Sequence, residues 1–385
     1  MMTKNKQCGA VSLFIVVFSA LLITVVTIGF VDIMVKDQQQ ASTTDLSQSA
    51  YDSAQTGVED AKRAIIRYHN ICNSGGDCST AASEINSQIC NEAVKKLDDV
   101  TASGNEIAIQ TGGNSNKLDQ AYTCTKISLD TIDYLGKLSV NTSNLIPLSS
   151  GANAFDSIQI QWFSLKDLAS NNNNYHVDLQ SLGVAPLIPQ SIWGLNSPSI
   201  LQAQLIQFSG TGFKLSDFDT SDTSGNGLST LFLYPSAVGT NSTFFANDSR
   251  KSATGMQLIK CQSSLSNGGY ACAATIKLRN TAGGVGGSIA MLRLSALYNS
   301  SNYRITLLDS TKPVSSNQVP FNGVQPEVDS TGRANNLFRR IQTRVESRDI
   351  NFPYPDNIVY GNICKNFIVT DDPLDYNNYN NSCTP

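Results

Sequence analysis

Three carboxylates, Asp217, Asp219 and Asp222, are spaced D-x-D-x-x-D and lead into the polar stretch 223–227. Closely spaced acidic side chains on a loop offer oxygen ligands to a hard cation, and calcium suits them best. The spacing departs from the D-x-[DN]-x-[DN]-G loop, and Ser221 takes the place of an expected ligand, so the plainer reading is an Asx-rich turn. Asp371, Asp372 and Asp375 read the same way. The run 283–287 (GGVGG) is followed by no Lys-Ser/Thr pair and reads as a hairpin connection, not a phosphate cradle. Only two histidines exist, His69 and His176, which excludes most histidine-based metal and acid–base chemistry. Neither is tied to a serine in a strand–turn–helix context. The chain is therefore expected not to be an enzyme, and calcium at Asp217, Asp219 and Asp222 is its single cofactor candidate.

The cysteines divide by position. Cys8 precedes a long apolar run, and Cys72, Cys78, Cys90, Cys124, Cys261, Cys272, Cys364 and Cys383 follow it. Zinc needs paired C-x2-C spacings or histidine partners, and neither is present. An even set in an oxidising compartment reads as up to four disulfides. Pairing of neighbours gives 72–78, 90–124, 261–272 and 364–383, one of 105 arrangements open to eight cysteines. Cys261 and Cys272 flank a natural hairpin turn at 263–269, which makes theirs the best-supported pair. Arg333, Arg339, Arg340, Arg344 and Arg348 form a basic stretch expected mainly on one face of a strand. It either pairs with Glu327, Asp329 and Glu346 or meets a neighbouring subunit or acidic polymer. Trp162, Trp193 and the tail tyrosines Tyr354, Tyr360, Tyr376 and Tyr379 either pack or stack on sugars.

The elements that must position these residues begin with a membrane segment. Residues 10–31 are uncharged without interruption, and 22 residues make a helix of roughly 33 Å, enough to cross a bilayer core. Lys4 and Lys6 precede the run and Asp32, Lys36 and Asp37 follow it, so the N-terminus is expected to be cytoplasmic and the remainder exported. The run is longer than the apolar core of a signal peptide and ends in no A-x-A site. From Asp37 to His69 there is no Pro and one Gly, Gly57. Leu46, Ala50, Ala54, Val58, Ala61, Ile65 and Tyr68 recur at helical spacing and form an apolar stripe. One continuous helix is expected; a break near 29–32 into two helices is the alternative.

Beyond about Gly104 the period changes to two. Residues 270–279, 337–345, 158–162 and 201–205 alternate apolar and polar, and 228–234, 256–260, 289–297 and 303–308 also read as strands. Breaker clusters at 171–174, 219–227, 283–287 and 315–323 separate them. The surface is poor in charge: 15 % of residues, against roughly 25 % in an average soluble protein. The net charge of −4 excludes a general electrostatic hold on nucleic acid.

A short lysine-bearing leader that ends in Gly, followed at once by an apolar helix running into an amphipathic one, resembles a type IV prepilin. In that family a membrane peptidase cuts after the glycine, which implies a cut between Gly9 and Ala10 and a mature start of AVSLFIVV. Residues 54–65 (AQTGVEDAKRAI) resemble the helix continuation of PilX-type minor pilins. The resemblance implies an α+β fold: a transmembrane and then amphipathic helix packed on a disulfide-stapled, antiparallel β-rich head. It implies a leader at 1–9, a membrane helix at 10–36, its amphipathic continuation at 37–70 and a head at 71–385, with an accessory insertion at about 190–285 left open. Cys364 and Cys383 would close the family's C-terminal loop. The implied partners are other pilin subunits through the N-terminal helix, the prepilin peptidase, the inner-membrane assembly machinery and a surface ligand of the head. Most major pilins carry Glu at the fifth mature position, where this chain has Phe14. That departure and the large head point to a minor or tip-proximal subunit of a cell-surface filament. A pseudopilin of a type II secretion system, or a signal-anchored binding protein or enzyme outside any filament, are the alternatives.

Overall fold

The computed structural model describes residues 9–87, 89–109, 119–169, 174–179, 189–208, 227–240, 243–245, 256–284 and 287–346. An α+β chain results, with one long N-terminal helix followed by antiparallel-rich sheets. The first helix, α1 (Gly9–Asn73), runs unbroken for 65 residues, or about 97 Å. No proline interrupts it, and Gly29 lies inside it without a break. Its apolar half carries two threonines whose hydroxyls donate to the preceding turn, Thr24 to the Ala20 carbonyl at 2.7 Å and Thr27 to that of Ile23 at 2.8 Å. Hydrocarbon surroundings would therefore meet neither of these two hydroxyls free.

At its end Ser74 and Gly76 donate backbone N–H groups to Asn70 and Ile71. Gly75, at φ +78°, takes the left-handed conformation that stops a helix. A second helix, α2 (Cys78–Ile85), follows at once, capped by Asp77, which accepts from the Thr80 N–H at 3.1 Å. Sequence periodicity left this eight-residue helix unread, because two turns bury too few residues to make a pattern.

The strands in chain order are β1 (Ala102–Ser103), β2 (Glu106–Ala108), β3 (Gln120–Thr131), β4 (Tyr134–Leu138), β5 (Ser143–Pro147) and β6 (Ala154–Ser164). There follow β7 (Ile200–Phe208), β8 (Gly227–Ser236), β9 (Thr243–Phe245), β10 (Gln257–Lys260) and β11 (Tyr270–Gly283). The last are β12 (Ile289–Leu297), β13 (Ser301–Leu308), β14 (Gln318–Val319), β15 (Phe321–Ala334) and β16 (Leu337–Arg344). The chain divides into two compact units. The first comprises Met1–Ile127 with Val328–Thr343; the second comprises Ser128–Glu327 with the chain from Arg344.

The first unit holds α1, α2 and a sheet of order β1-β2-β3-β15-β16. The second holds two further sheets, β10-β8-β7-β12-β5 and β14-β13-β6-β11-β9, with β4 paired to β13. Ile158, Ile160, Trp162, Ala274 and Ile276 from one of these sheets share a core with Leu201, Ala203, Leu231, Leu292 and Leu294 from the other, which makes a β-sandwich. The sandwich needs 134–164 and 289–319 as much as 190–285, since β7 pairs with β12 and β11 with β6. The compact piece is therefore wider than an insertion at 190–285. Two pairings, β8 with β10 and β9 with β11, are parallel, against the antiparallel expectation.

Candidate functional site

The site that the sequence singles out is α1. Gly9 and Ala10 lie in it, as the first two of the described residues. From Leu13 to Val35 its large apolar side chains are exposed, from 46 % at Val35 to 78 % at Phe14. A continuous apolar surface on this scale does not stay in water; it is covered by lipid or by other helices. The helix is the one element among the described residues long and apolar enough to cross a membrane. Lys36 pairs with Asp32 at 2.8 Å where the apolar segment ends.

The second half of α1 is held by its own unit. Ala50, Ala54, Val58, Ala61, Ala64 and Ile65 are buried on one face. Small side chains there let the helix lie close on β3 and β15. A Cβ at Gly332 on β15 would overlap the Ala54 backbone N and the Ala50 carbonyl of α1. A Cβ at Gly57 would overlap the Ser330 hydroxyl and sit 2.9 Å from the Thr125 hydroxyl. Polar links flank this seam. The Tyr122 hydroxyl donates to Asp60 at 2.6 Å, and Arg63 donates to Asp60 at 2.9 Å and to Asp99 at 2.5 Å. Burial, and then the bonded Asp60 carboxylate, push the Tyr122 phenol far above its ordinary range. The hydrogen bond from Arg63 holds the Asp99 carboxyl below its ordinary range.

Toward the membrane segment the packed face turns polar. Gln40, Thr43, Thr44 and Ser47 continue it at helical spacing and, with Arg339 of β16, line a notch of about 330 Å³. Arg339 Nε donates to the Ser47 hydroxyl at 2.8 Å.

The structure bonds Cys72 to Cys78, Cys90 to Cys124 and Cys261 to Cys272. Cys364, Cys383, Asp217, Asp219, Asp222, the Asp371–Asp375 group, Arg348 and the four tail tyrosines lie outside the described residues. The arginine stretch does not share one face. Arg333 lies on β15 and bonds Glu106 at 2.8 Å and Asp119 at 2.5 Å, while Arg340 pairs with Asp329 across the β15–β16 turn. Arg344 meets Asp133 at 3.4 Å and Glu327 at 3.1 Å. A two-residue turn, with Asn335 at φ +50°, splits the run into two strands, which spacing read as one.

Trp162 is fully buried and donates to the Ser199 carbonyl at 3.0 Å; Trp193 is 7 % exposed and donates to that of Pro198 at 3.2 Å. Neither presents a ring face for a sugar. His176 lies 3.5 Å from Asp178, and the His69 ring is tilted against that of Tyr68 on α1, with centroids 5.1 Å apart. Among the described residues no three His, Cys, Asp or Glu side chains gather to hold a metal ion. The apolar stripe Ala50, Ala54, Val58, Ala61 and Ile65 read in the sequence is the helix side of this seam; the sequence reading missed the Gly332–Ala54 approach and the Tyr122–Asp60 bond.

Compared with protein-family models, with curated proteins and with solved structures, the chain matches none.

Proposed function

We propose that the protein is a structural subunit of a type IV pilus-like surface filament, of the minor or tip-proximal kind, anchored by α1 until it is assembled. One observation carries the reading: a single unbroken helix runs through Gly9–Asn73, leaves its large apolar side chains from Leu13 to Val35 bare, and packs its second half on a sheet. A helix built this way buries one half in lipid or among like helices while the other holds a folded head at a fixed distance. Orientation follows from Lys4 and Lys6 before the segment, which keep the N-terminus cytoplasmic and export the disulfide-bonded head. Phe14 places the chain among subunits without a buried carboxylate, for which no amine partner is needed. The exported sandwich serves surface contact.

The test is maturation in a cell with a prepilin peptidase. Wild type should run shorter than its full-length translation product by the nine-residue leader, and Gly9→Val should stay at full length. Identical mobility of the two chains would remove the pilin reading and leave a signal-anchored surface protein.

A further inference from the structure

We propose that Asp45 and Arg339 form a propagating contact between copies of this chain: Asp45 on the α1 of one copy enters the notch beside Arg339 of the next.

The charges on either side of the notch are uneven. Of the arginines on β16, Arg340 pairs with Asp329, and Arg344 meets Asp133 and Glu327. Arg339 is exposed, spends Nε on the neutral Ser47 hydroxyl and has no carboxylate partner among the described residues. The notch it lines is otherwise made of hydroxyls and one amide, Thr43, Thr44, Ser47 and Gln40. That surrounding suits a carboxylate, which a guanidinium fork can grip with two hydrogen bonds. On the nearby stretch of α1, Asp45 is exposed and its side chain makes no ion pair or hydrogen bond among the described residues.

Height selects Asp45 as the occupant. Copies anchored by the same apolar segment hold the same residues at the same depth. Asp45 is two residues from Ser47, so a neighbour's Asp45 lies about 3 Å below the level of Arg339's hydroxyl partner. Two other carboxylates of this stretch lack a cation among the described residues: Asp37 lies about 15 Å below that level and falls short, and Asp52, about 8 Å above it, is bonded by the Gln48 amide at 2.9 Å.

Direction selects the geometry. Asp45 sits about 150° around α1 from the centre of the Gln40–Thr43–Thr44–Ser47 face, at 3.6 residues per turn. A copy therefore cannot give its Asp45 to a neighbour and receive that same neighbour's Asp45. Each copy gives on one side and receives on the other. Among copies held at one depth, such a head-to-tail contact builds rings or open rows in the membrane plane, never closed two-fold dimers. A copy at the end of a row leaves one half open.

The inference rests on the reading that copies of α1 share one membrane, and the experiment separates the two. Full-length chain with Cys8→Ser receives Asp45→Cys and Arg339→Cys together, or each alone, and is oxidised in native membranes. The double variant should give a ladder of dimers, trimers and higher multimers; each single variant should give none. Charge variants are read with an amine cross-linker. R339E or D45K should each lower multimer recovery several-fold, within the roughly fivefold reach of an exposed ion pair, and D45K/R339E together should restore it.

Dimers from Asp45→Cys alone would mean a reciprocal contact and would overturn the proposal. So would the absence of any ladder. A loss of binding to phosphatidylglycerol vesicles by R339E, with no ladder, would assign the notch to lipid phosphate and overturn it too. The N-terminal peptide is sequenced on the same material. A ladder from chain that retains its leader keeps the contact and removes the filament reading; processed chain without a ladder does the reverse.

Discussion

Gly332 of β15 and Ala54 of α1 approach so closely that no side-chain carbon fits at 332: a Cβ there would overlap the Ala54 backbone nitrogen. The long helix is thereby seated on its sheet backbone to backbone, and Ala50 and Ala54, both fully buried, are the side chains that permit it. A helix that must project a bare apolar half cannot rely on that half for its position, so the seam with β15 and β3 fixes it.

Gly332→Val should therefore destabilise the first unit by about 3 kcal/mol, the upper range of overpacking in a closed site. Gly29→Ala is the control, since nothing lies within 4 Å of a Cβ there. Urea midpoints of the two variants in detergent are the readout; equal midpoints would mean the helix is not held at Gly332.

Tyr122→Phe should lower stability by about 1.5–3 kcal/mol, the range for a hydrogen bond to a charged group. Its hydroxyl is the buried end of the bond to Asp60, which keeps Arg63 as a second partner. A smaller loss for Tyr122→Phe than for Arg63→Ala would place the weight of this cluster on the exposed pair instead.

The Cys90–Cys124 bond closes a separation of 34 residues, for which chain entropy assigns about 4 kcal/mol. Replacing both by Ser should remove most of that, and more than the loss from opening Cys72–Cys78, whose separation is 6. Equal losses would argue that neither acts through the unfolded chain.

Asp77 supplies a pH dependence with a definite sign. The Thr80 hydroxyl and N–H, with Ser79, bond its carboxylate and lower its pKa from 3.8 to about 2. A carboxylate depressed in the folded state adds stability above its unfolded pKa and loses it as pH falls through the folded one. The stability difference between wild type and Asp77→Asn should thus be full at pH 5 and shrink from about pH 4 to about pH 2. A difference that stays constant over that window would contradict the capping role.

The helix was legible because its signals are local. An uncharged run followed by apolar residues every three or four positions needs no knowledge of what packs on it. Its continuity through Gly29 followed from the same pattern. Adjacent cysteines paired as chain proximity favours. What failed to show were relations across long separations. β15 contains Gly323, Pro326 and Gly332 and reads as breaker-rich, yet pairing with β3 and β16 holds it as a strand of 14 residues. β8 and β12, buried on both faces with little alternation, were legible as the apolar runs 228–234 and 289–297, but their place beside β7 was not. The parallel partners β10 and β9 depend on register with strands more than twenty residues away, which no local spacing encodes. Arg339 belonged to a basic run in the sequence; only the fold placed it against Ser47 and apart from Arg333.

The central claim is tested most directly by mass spectrometry of the N-terminal peptide, on sheared surface material and on membranes separately. A peptide that begins at Ala10, N-methylated and present in the sheared fraction, is the expected result. A peptide that retains Met1 or Met2, recovered from membranes alone, would contradict the account and make α1 a simple anchor.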